Sequence, residues 1–278
     1  MTEEAGRDAE RAERDELFYG SYGHWGDLLL EEIRAETFVE DFGQNSWLTA
    51  DELDRFLSWL DLKPGSHLLE VASGSGGPAR AILRKAGCRV TGIDASEKAV
   101  AEAAQAADRL QLSERLTFRV ADANARLPFD DGAFDAVTCI DAMNHLLDRA
   151  LVLAEWRRVL RPGGRAVFTD PVVVTGPVSN DEIAVRGSIG AFLFVPPGVN
   201  EELIAKAGLQ LIRTEDATEN EERVARRWLD ARERRAEGLR RLEGSARFDG
   251  VQRFLEIVSR LTAERRLSRI VYLVEKRS

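Results

Sequence analysis

Cysteine and histidine are scarce in this chain, with two of the first and three of the second in 278 residues. Cys88 and Cys139 sit inside apolar runs. Two are too few for a disulfide framework, and a reducing cytoplasm is the expected setting. Neither has a metal-ligand spacing such as C-x-x-C, so no metal is expected. No uncharged apolar run approaches the length of a membrane-spanning helix. The N-terminal "MTEEAGRDAERAERDEL" lacks the apolar core of a signal peptide. Positive charge is also in deficit: 39 Lys and Arg stand against 48 Asp and Glu, a formal charge of −9. Phosphate backbones and anionic membranes would repel such a chain, so neither nucleic acid nor membrane is an expected partner.

Hydrophobic types make up 44% of the residues, enough for one large core, or a core with a small lid. Residues 1–16 are almost wholly polar. "LFYGSYGHWGDLLL" follows, and its glycines predict a loop that packs its rings. "LTADELDRFLSWL" predicts a helix start. Thr49 and Glu52 have capping-box spacing, and Leu48 with Leu53 have the hydrophobic-staple spacing. Leu53, Phe56, Leu57 and Leu60 form one apolar face, and "KPG" at 63–65 ends the element.

From Ser66 strand and helix alternate. "HLLEVA", "CRVTGID", "RLTFRVAD", "FDAVTCID" and "RAVFTD" read as strands. Pro78–Lys85, Ser96–Leu112 with Ser96 as N-cap, and Asp148–Leu160 read as helices. This alternation implies an α/β fold, a parallel sheet with helices on both faces. After Asp170 the regularity breaks, and 171–199 predicts a loop region with one short helix. "NEELIAKAGLQLIRTED" predicts helix then strand. Glu219–Leu242 and Phe248–Arg266 read as two arginine-rich amphipathic helices, and "RIVYLVEK" closes the chain as a last strand.

"LLEVASGSGGPARAIL" (68–83) joins an apolar run, an acid and a glycine cluster to a helix start. A strand, a glycine-rich turn and a helix N-terminus together make a nucleotide cradle. Gly74-x-Gly76-x-x-Ala79 fits a dinucleotide fingerprint, and Asp94 ends the next strand where an acid would hold a ribose. Glu70 separates the readings. A carboxylate there can face an amine-bearing ligand or orient the turn's amides, and a pyrophosphate would gain nothing from it.

Glu70-x-Ala72-x-Gly74-x-Gly76 resembles the first motif of class I S-adenosylmethionine (SAM)-dependent methyltransferases, with Ala72 in place of the first glycine. "GIDAS" (92–96), "ADANARLPFDDGAFDAV" (121–137) and "LRPGG" (160–164) resemble the family's later segments. The resemblance covers residues 66–171. It implies a Rossmann-like doubly wound sheet, mostly parallel with a final antiparallel strand. An N-terminal helical cover (1–62) and a helical lid (219–266) would flank the core (63–218), before the last strand at 267–278. It implies SAM as cofactor and a small-molecule acceptor, and leaves a homodimer open. Glu70, Ala72, Gly74, Gly76, Asp94 and Ala95 would bind the cofactor. So would Asp122, toward the adenine amino group, with Ala123, Ile140, Tyr22 and Trp47.

His67 opens the first strand far from such a site, and His24 lies in the aromatic loop. His145, in "CIDAMNHLLDR", lies at the rim. "NHLLDR" and "VFTDP" resemble segments of sugar O-methyltransferases, which implies His145 as a base and Asp170 as its orienting partner. Helix capping by His145 and a turn at Asp170-Pro171 are the structural alternatives. "FLFVPPG" (192–198) suggests an apolar acceptor wall. The arginines of 223–241 read as a solvated face, with an anionic pocket as the alternative. N-methylation of an amine, or C-methylation of a quinone or isoprenoid, is the nearest rival reading. An NAD-type oxidoreductase lacks a Y-x-x-x-K motif here. A non-catalytic SAM-binding protein is a further alternative. Nucleic-acid methylation would need N/D-P-P-Y/F after the fourth strand, where this chain reads "DAMN".

Overall fold

A computed structural model describes residues 27–277. Tyr22, His24 and Trp25 therefore lie outside the described residues. Helix α1 (Leu28–Thr37) starts at Asp27, whose carboxylate accepts the Leu29 N–H at 2.8 Å. Helix α2 (Ala50–Leu60) starts on the expected Thr49–Glu52 capping box. Leu48 and Leu53 enter one core cluster, and Asp61 ends the helix in the left-handed region.

Strands and helices then alternate. They are β1 (His67–Val71), α3 (Gly77–Ala86), β2 (Arg89–Asp94), α4 (Glu97–Arg109), β3 (Leu116–Val120) and β4 (Phe134–Cys139). Ser96 caps α4, accepting the Ala99 N–H at 3.2 Å. A 3₁₀ turn at Met143–His145 leads to α5 (Arg149–Val159) and β5 (Leu160–Val174). Next come α6 (Asn180–Arg186), α7 (Val199–Lys206) and β6 (Gln210–Asp216). The chain finishes with α8 (Thr218–Glu233), α9 (Ala236–Glu243), α10 (Ser245–Ala263) and β7 (Leu267–Glu275).

Among the described residues, seven strands form one sheet in the order β3-β2-β1-β4-β5-β7-β6. Neighbours from β3 to β5 are parallel, and β7 runs antiparallel between β5 and β6. This is the Rossmann-like, mostly parallel sheet with a final antiparallel strand. Successive side chains of a strand point to opposite faces. Leu68 accordingly packs with Phe56, Ile82 and Leu83 of α2 and α3, while Leu69 and Val71 pack with Val152, Leu153 and Trp156 of α5. Chain order reverses between β1 and β4, leaving a crevice beyond their carboxyl ends.

The C-terminal helices differ from the sequence reading. The expected helix 219–242 breaks at Arg234–Arg235 into α8 and α9. The break lets Ala231 and Leu239 share one cluster with Ile33 of α1 and Phe248 of α10. Arg235 reaches Glu32 and Glu36 of α1. Phe38 and Trp47 pack with Val224, Phe254 and Val258. Helix α1 and the loop before α2 thus bury apolar side chains against α8, α9 and α10. Among the described residues, no helix is long and apolar enough to cross a membrane.

Candidate active site

The turn after β1 is built around left-handed backbone. Ala72, Gly74 and Gly76 have φ of 56°, 51° and 73°. Glycine adopts this region without penalty, whereas the Ala72 methyl costs about 1–2 kcal/mol there. The departure from the motif is therefore a strained residue within the turn. At Gly77 an added Cβ would lie 2.3 Å from the Gly43 carbonyl oxygen. The loop before α2 can press on the α3 N-terminus only because that position has no side chain.

Two acids hold the turn from below. Glu70 is fully buried and accepts the Ala79 amide in the first turn of α3. Burial pushes its pKa up to about 8, and its Oε2 has no partner among the described residues. Asp94 accepts the Gly74 N–H through Oδ2 and the Ser96 N–H through Oδ1, both at 2.9 Å. Burial raises its pKa as well. Asp94 thus ties the end of β2 to the turn after β1.

A cavity of about 300 Å³ opens beyond these strand ends. Ala72, Asp94, Ala95, Asp122, Ala123 and Ile140 line one side of it, and Trp47 joins them from the loop before α2. Asp122 is exposed, and its Oδ1 accepts the Asn124 N–H at 2.8 Å. Glu70, Gly74 and Gly76 are not among the lining residues. Their side chains and backbone shape the turn behind the wall.

His145 lines the same cavity from the 3₁₀ turn after β4. Its Nδ1 lies 3.2 Å from the Ala191 carbonyl oxygen, and its ring meets Phe192 edge-on at 4.7 Å. A carbonyl only accepts, so Nδ1 carries the proton and Nε2 the lone pair. Desolvation pushes the imidazole pKa down to about 4, with the Arg186 charge adding to the effect against the Ala191 hydrogen bond. Gly190 makes room for the ring, since a Cβ there would lie 3.0 Å from Cε1.

Asp170 sits elsewhere. Its buried Oδ2 is held by Arg149 at 2.6 Å and by Asn200 at 2.9 Å, and its Oδ1 accepts the Val172 N–H at 3.2 Å. A buried carboxylate beside a buried guanidinium is neutralised there. Orientation of the His145 ring falls to the Ala191 carbonyl instead.

Another buried ion group closes the side wall. Arg269 of β7 donates from Nε to Asp141 Oδ1 at 2.6 Å and from Nη1 to Glu52 Oε1 at 2.7 Å. Asp141, at φ 52°, also accepts the Trp47 N–H at 2.8 Å. Asn220 of α8 donates to Glu52 at 2.7 Å and to the Trp47 carbonyl at 2.8 Å. This network fixes Trp47 against the end of β4. The Glu52 that caps α2 is one of its members, a role the capping pattern does not reveal.

The opposite side of the cavity is apolar and cationic. Ile189, Phe192, Trp228, Phe254, Arg186 and Arg232 line it. Trp47 meets Trp228 edge-on at 6.1 Å and stacks on Phe254 at 6.4 Å. Arg232 pairs with Glu243 and donates to Gln252 at 3.1 Å. "FLFVPPG" signalled Phe192, and the amphipathic stripe contained Trp228. Nothing in the local sequence singled out Arg186.

Residues 69–168 match the family described as a methyltransferase domain. Over 220 residues the chain is 31% identical to 27-O-demethylrifamycin SV methyltransferase of Amycolatopsis mediterranei, spanning 76% of this chain and 79% of that protein. Over 205 residues it is 35% identical to methyltransferase GfsG of Streptomyces halstedii, spanning 71% of this chain and 68% of that one. Other similar curated proteins are named as N- and C-methyltransferases. Among solved structures, cyclopropane synthase MmaA2 of Mycobacterium tuberculosis superposes with a TM-score of 0.80 at 17% identity, covering 95% of this chain and 98% of that one. At that identity the likeness is one of fold.

Proposed function

The chain belongs to the SAM-dependent methyltransferase family, and from that premise we propose that it methylates a hydroxyl oxygen of a small-molecule acceptor with His145 as general base. SAM supplies a methyl group on a sulfonium, ready for in-line displacement. The wall made by the ends of β1, β2, β3 and β4 is the cofactor side. Asp94 has lone pairs left after its two backbone bonds and accepts from the ribose hydroxyls. Asp122 takes the adenine amino group, and Ala95, Ala123 and Ile140 give the flat apolar bed beside it. Ala72, Gly74 and Gly76 let the backbone approach, and Glu70 holds their turn against α3. Trp47 covers the site from the N-terminal side.

The observation that carries the reading is His145, which lines the same cavity in the tautomer that leaves Nε2 as acceptor. SAM, when bound, would supply the methyl group to the acceptor oxygen and leave as the neutral sulfide. The hydroxyl proton passes to Nε2. An imidazole of pKa about 4 is a weak base. It suffices because the hydroxyl becomes strongly acidic as its oxygen gains the methyl group. Proton transfer then occurs late along the reaction.

Labelled SAM with pooled hydroxyl, amine and isoprenoid acceptors tests the reading. Label should appear in an ether-forming hydroxyl acceptor. Label only on nitrogen or carbon would replace this reading with N- or C-methyl transfer.

A further inference from the structure

Arg186, the last residue of α6, is 2% exposed and lines the cavity. Among the described residues, only its Nη2 is hydrogen-bonded. It donates to Glu221 Oε1 at 3.2 Å and to the Pro171 carbonyl at 3.4 Å. Nε and Nη1 have no hydrogen-bond partner among the described residues. The guanidinium carbon lies over the Phe192 and Phe254 rings, at 5.2 and 5.1 Å. Two rings and one carboxylate thus fix the group while three of its five N–H donors stay unmet. A guanidinium cannot shed its charge to relieve this, so the unmet donors call for oxygen from outside the chain.

The surroundings favour an anionic oxygen. Among the described residues, Glu221 is the one carboxylate bonded to Arg186, and it is itself fully buried, with Oε2 lacking a partner there. Burial pushes its pKa up to about 8, so it is a poor standing counter-ion. Asp141 and Asp170, the other acids acting on Arg186, are already bonded to Arg269 and Arg149. The body of the cavity here is apolar, formed by Ile189, Phe192, Trp228 and Phe254. Phe192 also touches His145, so one ring separates the imidazole from the guanidinium.

Resting on the O-methyl reading above, we propose that the acceptor is an apolar hydroxy acid whose carboxylate docks on Arg186 while its hydroxyl faces His145. Arg186 is then a specificity-determining residue. A neutral ester or amide of the same acceptor fits the apolar walls but forfeits the charge-assisted hydrogen bonds.

The test titrates hydroxylated arylalkanoic acids of increasing chain length, and their methyl esters, into the complex with S-adenosylhomocysteine by calorimetry. At least one acid should bind about tenfold or more tighter than its ester. In the double variant Arg186→Gln/Glu221→Gln, which removes the guanidinium together with its carboxyl partner and leaves no lone buried ion, that gap should fall below about twofold. SAM affinity should stay unchanged. Equal affinity for every acid and its ester in the unaltered protein would overturn the proposal. So would a gap that persists in the variant. A loss of SAM affinity in the variant would assign Arg186 to the cofactor's own carboxylate instead. The labelled-SAM screen separates the two readings. Ether formation on neutral alcohols with no acid binding removes Arg186 and keeps the O-methyl reading. Acid binding with methyl transfer only to nitrogen does the reverse.

Discussion

The wall formed by the ends of β1, β2, β3 and β4 consists mostly of small residues and carboxylates, each within a few positions of a strand end. The opposite wall consists of rings and guanidinium groups from α6, α8, α10 and the 187–198 segment. The first wall takes its geometry from backbone. Asp94 is fixed by two amides, Glu70 by one, and the turn by three left-handed residues. The second takes its geometry from side chains that meet across long sequence distances, such as Arg186 with Glu221 and Trp47 with Trp228. A backbone-built wall suits a ligand that never changes, whereas a side-chain-built wall can be re-shaped without disturbing the sheet. The difference teaches that cofactor and acceptor sides should fail separately when mutated.

The largest separation is expected at His145. His145→Ala should lower turnover on the true acceptor about 10²–10⁴-fold. Protonation removes the lone pair, so turnover in the unaltered protein should rise with pH through about 4 and stay level across neutral pH. An ordinary histidine would place that rise nearer about 6.5. Rate–pH profiles of the two proteins check this. A rise near neutral pH would mean that the ring is more solvated than its packing against Phe192 and Gly190 implies.

The next effect concerns the network that joins the walls. Arg269→Met leaves Glu52 and Asp141 buried without their cation, which should cost about 3–5 kcal/mol of stability. Thermal unfolding measures it. A shift in Tm within error would mean that water or movement compensates the two acids.

The sequence showed the backbone-built wall well, because its signals are local. The acid–glycine spacing of 70–76, Asp94 and the Ser96 cap, and the Thr49–Glu52 box each span a few residues. Ala72 also illustrates this: the position that the motif gives to glycine has a left-handed φ of 56°. The side-chain-built wall was legible only in outline. Periodicity marked Trp228 as apolar, but the break at Arg234–Arg235 depends on contacts with α1 some two hundred residues earlier. Asp170 was read from its resemblance and its place at the end of a strand. Its bond to Arg149 and Asn200 depends on how α5 and α7 pack, which no local pattern encodes.

A smaller effect should appear in hydrogen exchange. Without ligand, amides of α8–α10 should exchange faster than those of β1, β4 and β5, and acceptor binding should slow them. Their shared layer with α1 gives them some protection from the start, so the change should be modest. Equal exchange with and without ligand would make these helices a fixed wall.

The central claim is that one wall holds SAM and the other serves the acceptor. Calorimetric titration of SAM into Asp94→Ala and His145→Ala, side by side, tests it most directly. Asp94→Ala should weaken SAM binding by about tenfold or more, because a charged acceptor of hydrogen bonds is lost. His145→Ala should bind SAM as the unaltered protein does. Unchanged SAM affinity in a folded Asp94→Ala, or an equal loss in both variants, would contradict the division of the cavity.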